Sequence, residues 1–123
     1  MGVLDKVRQH AGAKVVRRLE VPEWGDPAEF GEDGAETVPA KPLELFYTML
    51  TLSELAEIEQ LGMKTFSEQA AHIVAMKACD KDGKPLFKRI EARTLQEEAA
   101  PDVVKRIALE ILGRVTIEDA RKN

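Results

Sequence analysis

Three strings of the form Thr-x-x-Glu, at Thr51–Glu54, Thr65–Glu68 and Thr94–Glu97, constrain this chain more than any other feature. In such a box the threonine hydroxyl and the glutamate carboxylate each accept one of the backbone N–H groups that a helix start leaves without a partner. Three helix starts set close together leave no room for a long helix or a broad sheet, so the second half must be a set of short helices. Leu52, Leu55, Ile58 and Leu61 form the apolar side of the first, and Gly62 stops it. Phe66, Ala70, Ile73, Val74 and Lys77 run along the second, which reaches about Cys79. Asp80-Lys-Asp-Gly-Lys-Pro then predicts a tight turn, because Gly83 tolerates positive φ and Pro85 cannot prolong a helix. Leu86 and Phe87 are free to tuck back. The third box opens a helical stretch at Thr94, and Pro101 suits the first turn of a last helix. Val103, Val104, Ile107, Ala108, Ile111 and Leu112 give that helix the cleanest apolar stripe in the chain, and Gly113 ends it.

The first half reads differently. Val3, Leu4, Val7 and Ala11 recur at helical spacing, which predicts an amphipathic helix over 2–11 that ends near Gly12. Val15, Val16 and Val21 favour a strand at 15–21, with Pro22 ruling out a helix interior. Leu43 to Met49 suits a second strand. Between them, residues 25–37 carry three glycines, a proline and five acids, a composition that predicts an irregular loop across which the two strands pair as a β-hairpin. The fold class is therefore α+β, mainly helical, with an N-terminal β-hairpin followed by three to four short helices. We read 1–123 as a single domain: a helical arm at 1–14, the hairpin at 15–49, the helical part at 50–113 and a charged tail at 114–123 with one further turn.

Charge is segregated. Residues 1–20 hold five basic and two acidic side chains, while 21–40 hold six acids and no base; the whole chain has 18 Lys and Arg against 22 Asp and Glu, a net charge of −4. That balance argues against nucleic acid as a partner, although Lys6, Arg8, Lys14, Arg17 and Arg18 form a basic N-terminal segment. No apolar run is long enough to cross a membrane, which predicts a soluble, cytoplasmic protein.

Candidate chemistry is sparse. With one cysteine, Cys79, and two histidines, His10 and His72, neither a disulfide nor a Cys/His metal cluster can be assembled. Asp80-x-Asp82-Gly83 lacks the ligand spacing of a calcium loop, and Arg89 stands where that loop needs a glutamate. The serines, Ser53 and Ser67, lie in no glycine-rich elbow, and no phosphate-binding glycine loop is present. No catalytic residue, metal or cofactor is expected. What remains is apolar surface, including Met49, Met63 and Met76, that must bury within the chain or against a partner.

Four strings in order, Leu19-Glu-Val-Pro-Glu-Trp-Gly-Asp, Leu50-Thr-Leu-Ser-Glu-Leu-Ala-Glu-Ile-Glu, Cys79-Asp-Lys-Asp-Gly-Lys-Pro-Leu-Phe and Val104-Lys-Arg-Ile-Ala-Leu-Glu-Ile-Leu, resemble the tail assembly chaperones of long-tailed bacteriophages and prophages. The resemblance spans residues 19–112, and in this chain the acidic residues 26–37 separate the first string from the presumed second strand. It implies a small protein made in the host cytoplasm and absent from the mature virion. Such a protein would bind the tape measure protein without covalent chemistry and keep it soluble until tail tube subunits polymerise around it, with homo-oligomerisation as a means of coating a long partner. The resemblance transfers no contact residue. Apolarity alone selects Trp24, Phe46, Leu86 and Phe87 as candidate partner-binding side chains. The alternative reading is a small phage regulator or adaptor that binds nucleic acid through the basic N-terminal segment.

Overall fold

The computed structural model describes residues 2–10 and 14–113. Its elements run α1 (Val3–His10), β1 (Arg17–Asp26), β2 (Glu29–Phe30), β3 (Glu36–Val38), β4 (Lys41–Tyr47), α2 (Leu52–Gln60), α3 (Phe66–Lys77), a 3₁₀ turn (Arg89–Glu91), α4 (Ala92–Glu98) and α5 (Pro101–Leu112). This is an α+β fold in which a hairpin precedes four helices. The predicted stop near Gly12 and the predicted turn in the tail at 114–123 lie outside the described residues.

β1 and β4 pair antiparallel from Arg17 opposite Tyr47 to Val21 opposite Leu43. The hairpin spans the acidic segment as expected, but its strands differ from the predicted ones. Val15 and Val16 precede β1 and stay exposed, whereas the strand continues past Pro22 to Asp26. It can do so because the register breaks after Val21: residues 22–25 lie opposite Pro42 alone before Asp26 faces Lys41. A proline is tolerated where the ladder is already interrupted. Gly25 makes the bulge possible, since a Cβ there would come within 2.1 Å of the Lys41 carbonyl oxygen and 2.7 Å of Pro42 Cα.

The predicted irregular loop at 25–37 is a correction. β2 and β3 form a second small ladder there, with Glu29 opposite Val38 and Phe30 opposite Glu36. Polar groups of the turn close it: Gly31 N–H donates to the Ala35 carbonyl at 2.8 Å, Ala35 N–H donates to Asp33 Oδ1 at 3.0 Å, and Gly34 takes a φ of 81°. Composition hid this ladder because its backbone bonds need no buried side chain; both of its strands are exposed throughout.

α2 begins as predicted, with Glu54 N–H donating to Thr51 Oγ1 at 3.1 Å and Thr51 N–H donating back to Glu54 Oε1 at 3.0 Å. Its stripe is narrower than expected, since Ile58 is buried while Leu52 is 86% exposed. A repeat of three drifts around a helix of 3.6 residues per turn, so Leu52 and Leu61 fall on opposite sides. At α3 the Thr65 hydroxyl caps Glu68 N–H at 3.3 Å. That helix ends at Lys77 instead of reaching Cys79, which bridges Phe46 and Pro85 in extended backbone. The turn between is built as predicted: Asp80 Oδ1 accepts from the N–H groups of Asp82 at 2.8 Å and Lys84 at 3.0 Å, and Gly83 has a φ of 83°.

The third box does not form. α4 starts two residues earlier, at Ala92, preceded by a 3₁₀ turn in which Lys88 N–H donates to Glu91 Oε1 at 2.7 Å. Thr94 lies inside the helix and Glu97 pairs with Arg93 at 3.0 Å. A pair at i and i+4 on an existing helix competed with the cap for the same carboxylate. α5 follows the prediction, with Pro101 in its first turn and Gly113 at a φ of 67° closing it. The core joins Val21, Leu45 and Tyr47 of the sheet to Ile58, to the inner face of α3 from Ala70 to Ala75, to Leu95, and to Val103, Val104, Ile107, Ala108 and Ile111. α3 packs on both α4 and α5, and its alanines let those helices approach closely.

Candidate functional site

The β1 bulge decides where the largest apolar side chain goes. With Gly25 flat against β4, Trp24 turns toward the segment after the Asp80–Pro85 turn and meets Phe87 edge to face, with ring centroids 5.9 Å apart at 74°. Trp24, Leu43, Leu86 and Phe87 pack against the core and stay half-buried. Trp24, Leu43 and Phe87 also line an open groove of about 390 Å³ bordered by Thr94, Leu95 and Glu98 of α4 and by Ala99 just after it. Trp24 and Leu43 extend into a second cavity of about 550 Å³ that reaches Phe46 and Asp80.

The structure therefore brings two of the four sequence candidates, Trp24 and Phe87, together, while Leu86 packs against the core. Phe46 alternates with Leu45 and Tyr47 on β4, stands opposite Arg18 in the ladder, and shares the second cavity with Trp24 and Leu43. Leu43 was missed by sequence reasoning. Its alternation with Leu45 and Tyr47 was the available signal.

An ion pair fixes the bulge from the other side. Arg106 of α5 donates from Nη1 and Nη2 to the two oxygens of Glu23, each at 2.8 Å. The paired guanidinium lowers the Glu23 carboxyl to about 2. A second pair joins α2 to α3: Lys77 Nζ donates to both oxygens of Glu54 at 3.0 Å. Burial pushes the Glu54 carboxyl up, but the bonds from the Thr51 backbone and from Lys77 outweigh it and the net shift is downward.

A cavity of about 350 Å³ between β4 and α5 is lined by Arg17, Tyr47, Arg106 and Glu110 among others. Two of its groups pair with each other and one elsewhere: the Tyr47 hydroxyl donates to Glu110 Oε2 at 3.5 Å, and Arg106 pairs with Glu23. Burial and the Glu110 carboxylate push the Tyr47 phenol up, so it stays protonated at neutral pH. Burial also pushes the Cys79 thiol up, away from the thiolate form a nucleophile needs. Among the described residues there is no group of three His, Cys, Asp or Glu side chains placed to hold a metal, and no helix long and apolar enough to cross a membrane.

The basic N-terminal segment is partly neutralised. Arg8 lies 3.8 Å from Asp5, and Arg18 reaches both Glu20 and, at 3.4 Å, Glu44. Comparison with family models, curated proteins and solved structures finds no match to this chain.

Proposed function

We propose that this chain works by covering apolar surface on another polypeptide, and that its partner is the tape measure protein of a long-tailed bacteriophage, kept soluble until tail tube subunits polymerise around it. One observation carries the binding reading: a half-exposed apolar groove at Trp24, Leu43 and Phe87, beside a glycine-dependent bulge, whose polar border is Thr94 and Glu98. A tape measure protein is a long helical chain with apolar stripes, and a shallow groove of this kind suits a helix face. The resemblance of four strings between residues 19 and 112 supplies the identity of the partner. On this reading the protein acts in the host cytoplasm, leaves no copy in the mature virion and makes or breaks no covalent bond.

The alternative, a regulator or adaptor gripping nucleic acid, is disfavoured because Arg8 and Arg18 face carboxylates of their own chain. Co-expression with the tape measure protein of the same genome tests the proposal. The partner should remain in the soluble fraction and co-purify, and Trp24→Ser with Phe87→Ser should reduce its recovery severalfold. Phe46→Ser, which removes a ring outside the core, shows whether the second cavity takes part. Precipitation of the partner whether or not this chain is present overturns the reading. Binding to nucleic acid that weakens steeply as salt rises would favour the alternative.

A further inference from the structure

The groove at Trp24 changes character along its length. Trp24 and Leu43 line both the concavity of about 390 Å³ toward α4 and the one of about 550 Å³ toward Phe46, so the two adjoin along these side chains. The second runs out between the Asp80–Pro85 turn, which lines it with Asp80, Lys81 and Asp82, and the outer ends of β1 and β4, which line it with Asp26 and Lys41. Past Asp26 and Lys41 the chain continues into the β2–β3 ladder, which closes the hairpin beyond this end of the groove.

The two ends carry different charge. On the α4 side the groove meets one charged side chain, Glu98. At the ladder end Asp26, Glu29, Glu32, Asp33 and Glu36 are all exposed, and none of them, nor Asp80 or Asp82, takes part in an ion pair among the described residues. Asp80 Oδ1 accepts two backbone N–H groups of its own turn, which holds the carboxylate in place without cancelling its charge. The bases at this end are Lys41, Lys81 and, further round the turn, Lys84, three against those seven carboxylates. Glu44, also in the lining, is matched by Arg18. A divalent cation has no seat here, since no three of these carboxylates are placed together to hold one.

We infer that the segment this groove takes is an amphipathic helix of another polypeptide whose apolar stripe is followed, at the end over the β2–β3 ladder, by Lys or Arg side chains. The inference rests on the reading above that the Trp24 groove binds a polypeptide, and it holds whichever polypeptide that is. A long basic side chain suits this end because its methylene stem can lie along Leu43 and Phe46 while its charged head reaches the carboxylates beyond them. Attraction between exposed charges adds modest affinity. Its larger effect is selection: a helix with the same stripe but acidic side chains at that end meets like charge and is turned away.

Three synthetic helical peptides test this, identical in their apolar stripe, free of tryptophan, and differing only in two residues at one end, which are Lys, Gln or Glu. Trp24 emission of the full chain reads their binding. At about 0.05 M salt the Lys peptide should bind about tenfold tighter than the Glu peptide, with the Gln peptide between them. At about 0.5 M salt, where the screening length is about threefold shorter, the three should agree within about twofold, and the Gln peptide should bind alike at both. Glu29→Lys with Asp82→Lys, two exposed side chains outside the core, should reverse the order of the Lys and Glu peptides and leave the Gln peptide unchanged, a pattern that structural damage would not produce. Equal binding of the Lys and Glu peptides at low salt overturns the inference and leaves the groove reading standing, and so does a preference for Lys that survives the double charge reversal. If no peptide shifts the emission, the groove reading falls and this inference with it. Emission that shifts with the concentration of the chain alone gives the groove to a second copy and overturns it equally.

Discussion

The α3–α5 layer and the pair formed by α1 and the β2–β3 ladder follow opposite rules. In the helical layer, most apolar side chains face inward, Thr65 caps the start of α3 and Gly113 closes the end of α5. In the N-terminal segment, α1 and the β2–β3 ladder are held by backbone and polar contacts while their apolar side chains face solvent. Burial stabilises the first and leaves the second available. A small domain can place its stability in one region and leave apolar surface exposed in another, and the Trp24 bulge is where the two meet.

Substitutions should separate the regions sharply. Ile107→Ala, at a fully buried site in α5, should cost about 2–5 kcal/mol in urea or guanidinium unfolding. Leu4→Ala on α1, measured in dilute solution where the chain is monomeric, should stay within about 0.5 kcal/mol. Equal losses would break the comparison. At the junction, Gly25→Ala drives a methyl group into the Lys41 carbonyl and should cost about 1–3 kcal/mol. It should also shift the emission of Trp24, because the bulge that aims the indole must move.

The two threonines sharpen the account of helix starts. Thr51→Ala removes a cap whose hydroxyl accepts from Glu54 N–H and should cost about 1 kcal/mol. Thr94→Ala, inside α4, should change unfolding by less than about 0.5 kcal/mol. The smallest effect is expected from acid. Glu23 is depressed from 4.5 to about 2 by Arg106, so its contribution is complete above 4.5 and is lost as pH falls from there toward 2. The exposure of the pair keeps that contribution small. Glu23→Gln should lower the urea midpoint slightly at neutral pH and flatten its decline between 4.5 and 2, so that variant and parent converge in acid.

Legibility in the sequence followed the same divide. α5 was readable because its stripe, Pro101 and Gly113 all point to one helix, and the Asp80–Pro85 turn because Asp and Gly each have one physical use there. The box at Thr51 held in full, and at Thr65 its hydroxyl half alone, for the same local reason. Thr94–Glu97 misled because a Thr-x-x-Glu string inside a helix looks identical until the preceding turn is known. The bulge was not readable: it depends on Gly25 meeting the backbone of Lys41 and Pro42 across the ladder, and no local pattern announces a contact between residues that distant in sequence. The same holds for Glu23 with Arg106. Of the candidate site, the residue types were legible from apolarity alone, while the grouping of Trp24 with Phe87 came only from the fold.

Trp24 is the single tryptophan of the chain, so its fluorescence reports the proposed groove with no label. Titration with an apolar helical segment of the tape measure protein should shift its emission to the blue, saturate, and give nearly the same dissociation constant from about 0.05 to 0.5 M salt, because the groove is apolar. Emission that does not respond to saturating segment, while binding is detected by another method, would place the partner elsewhere and contradict the account.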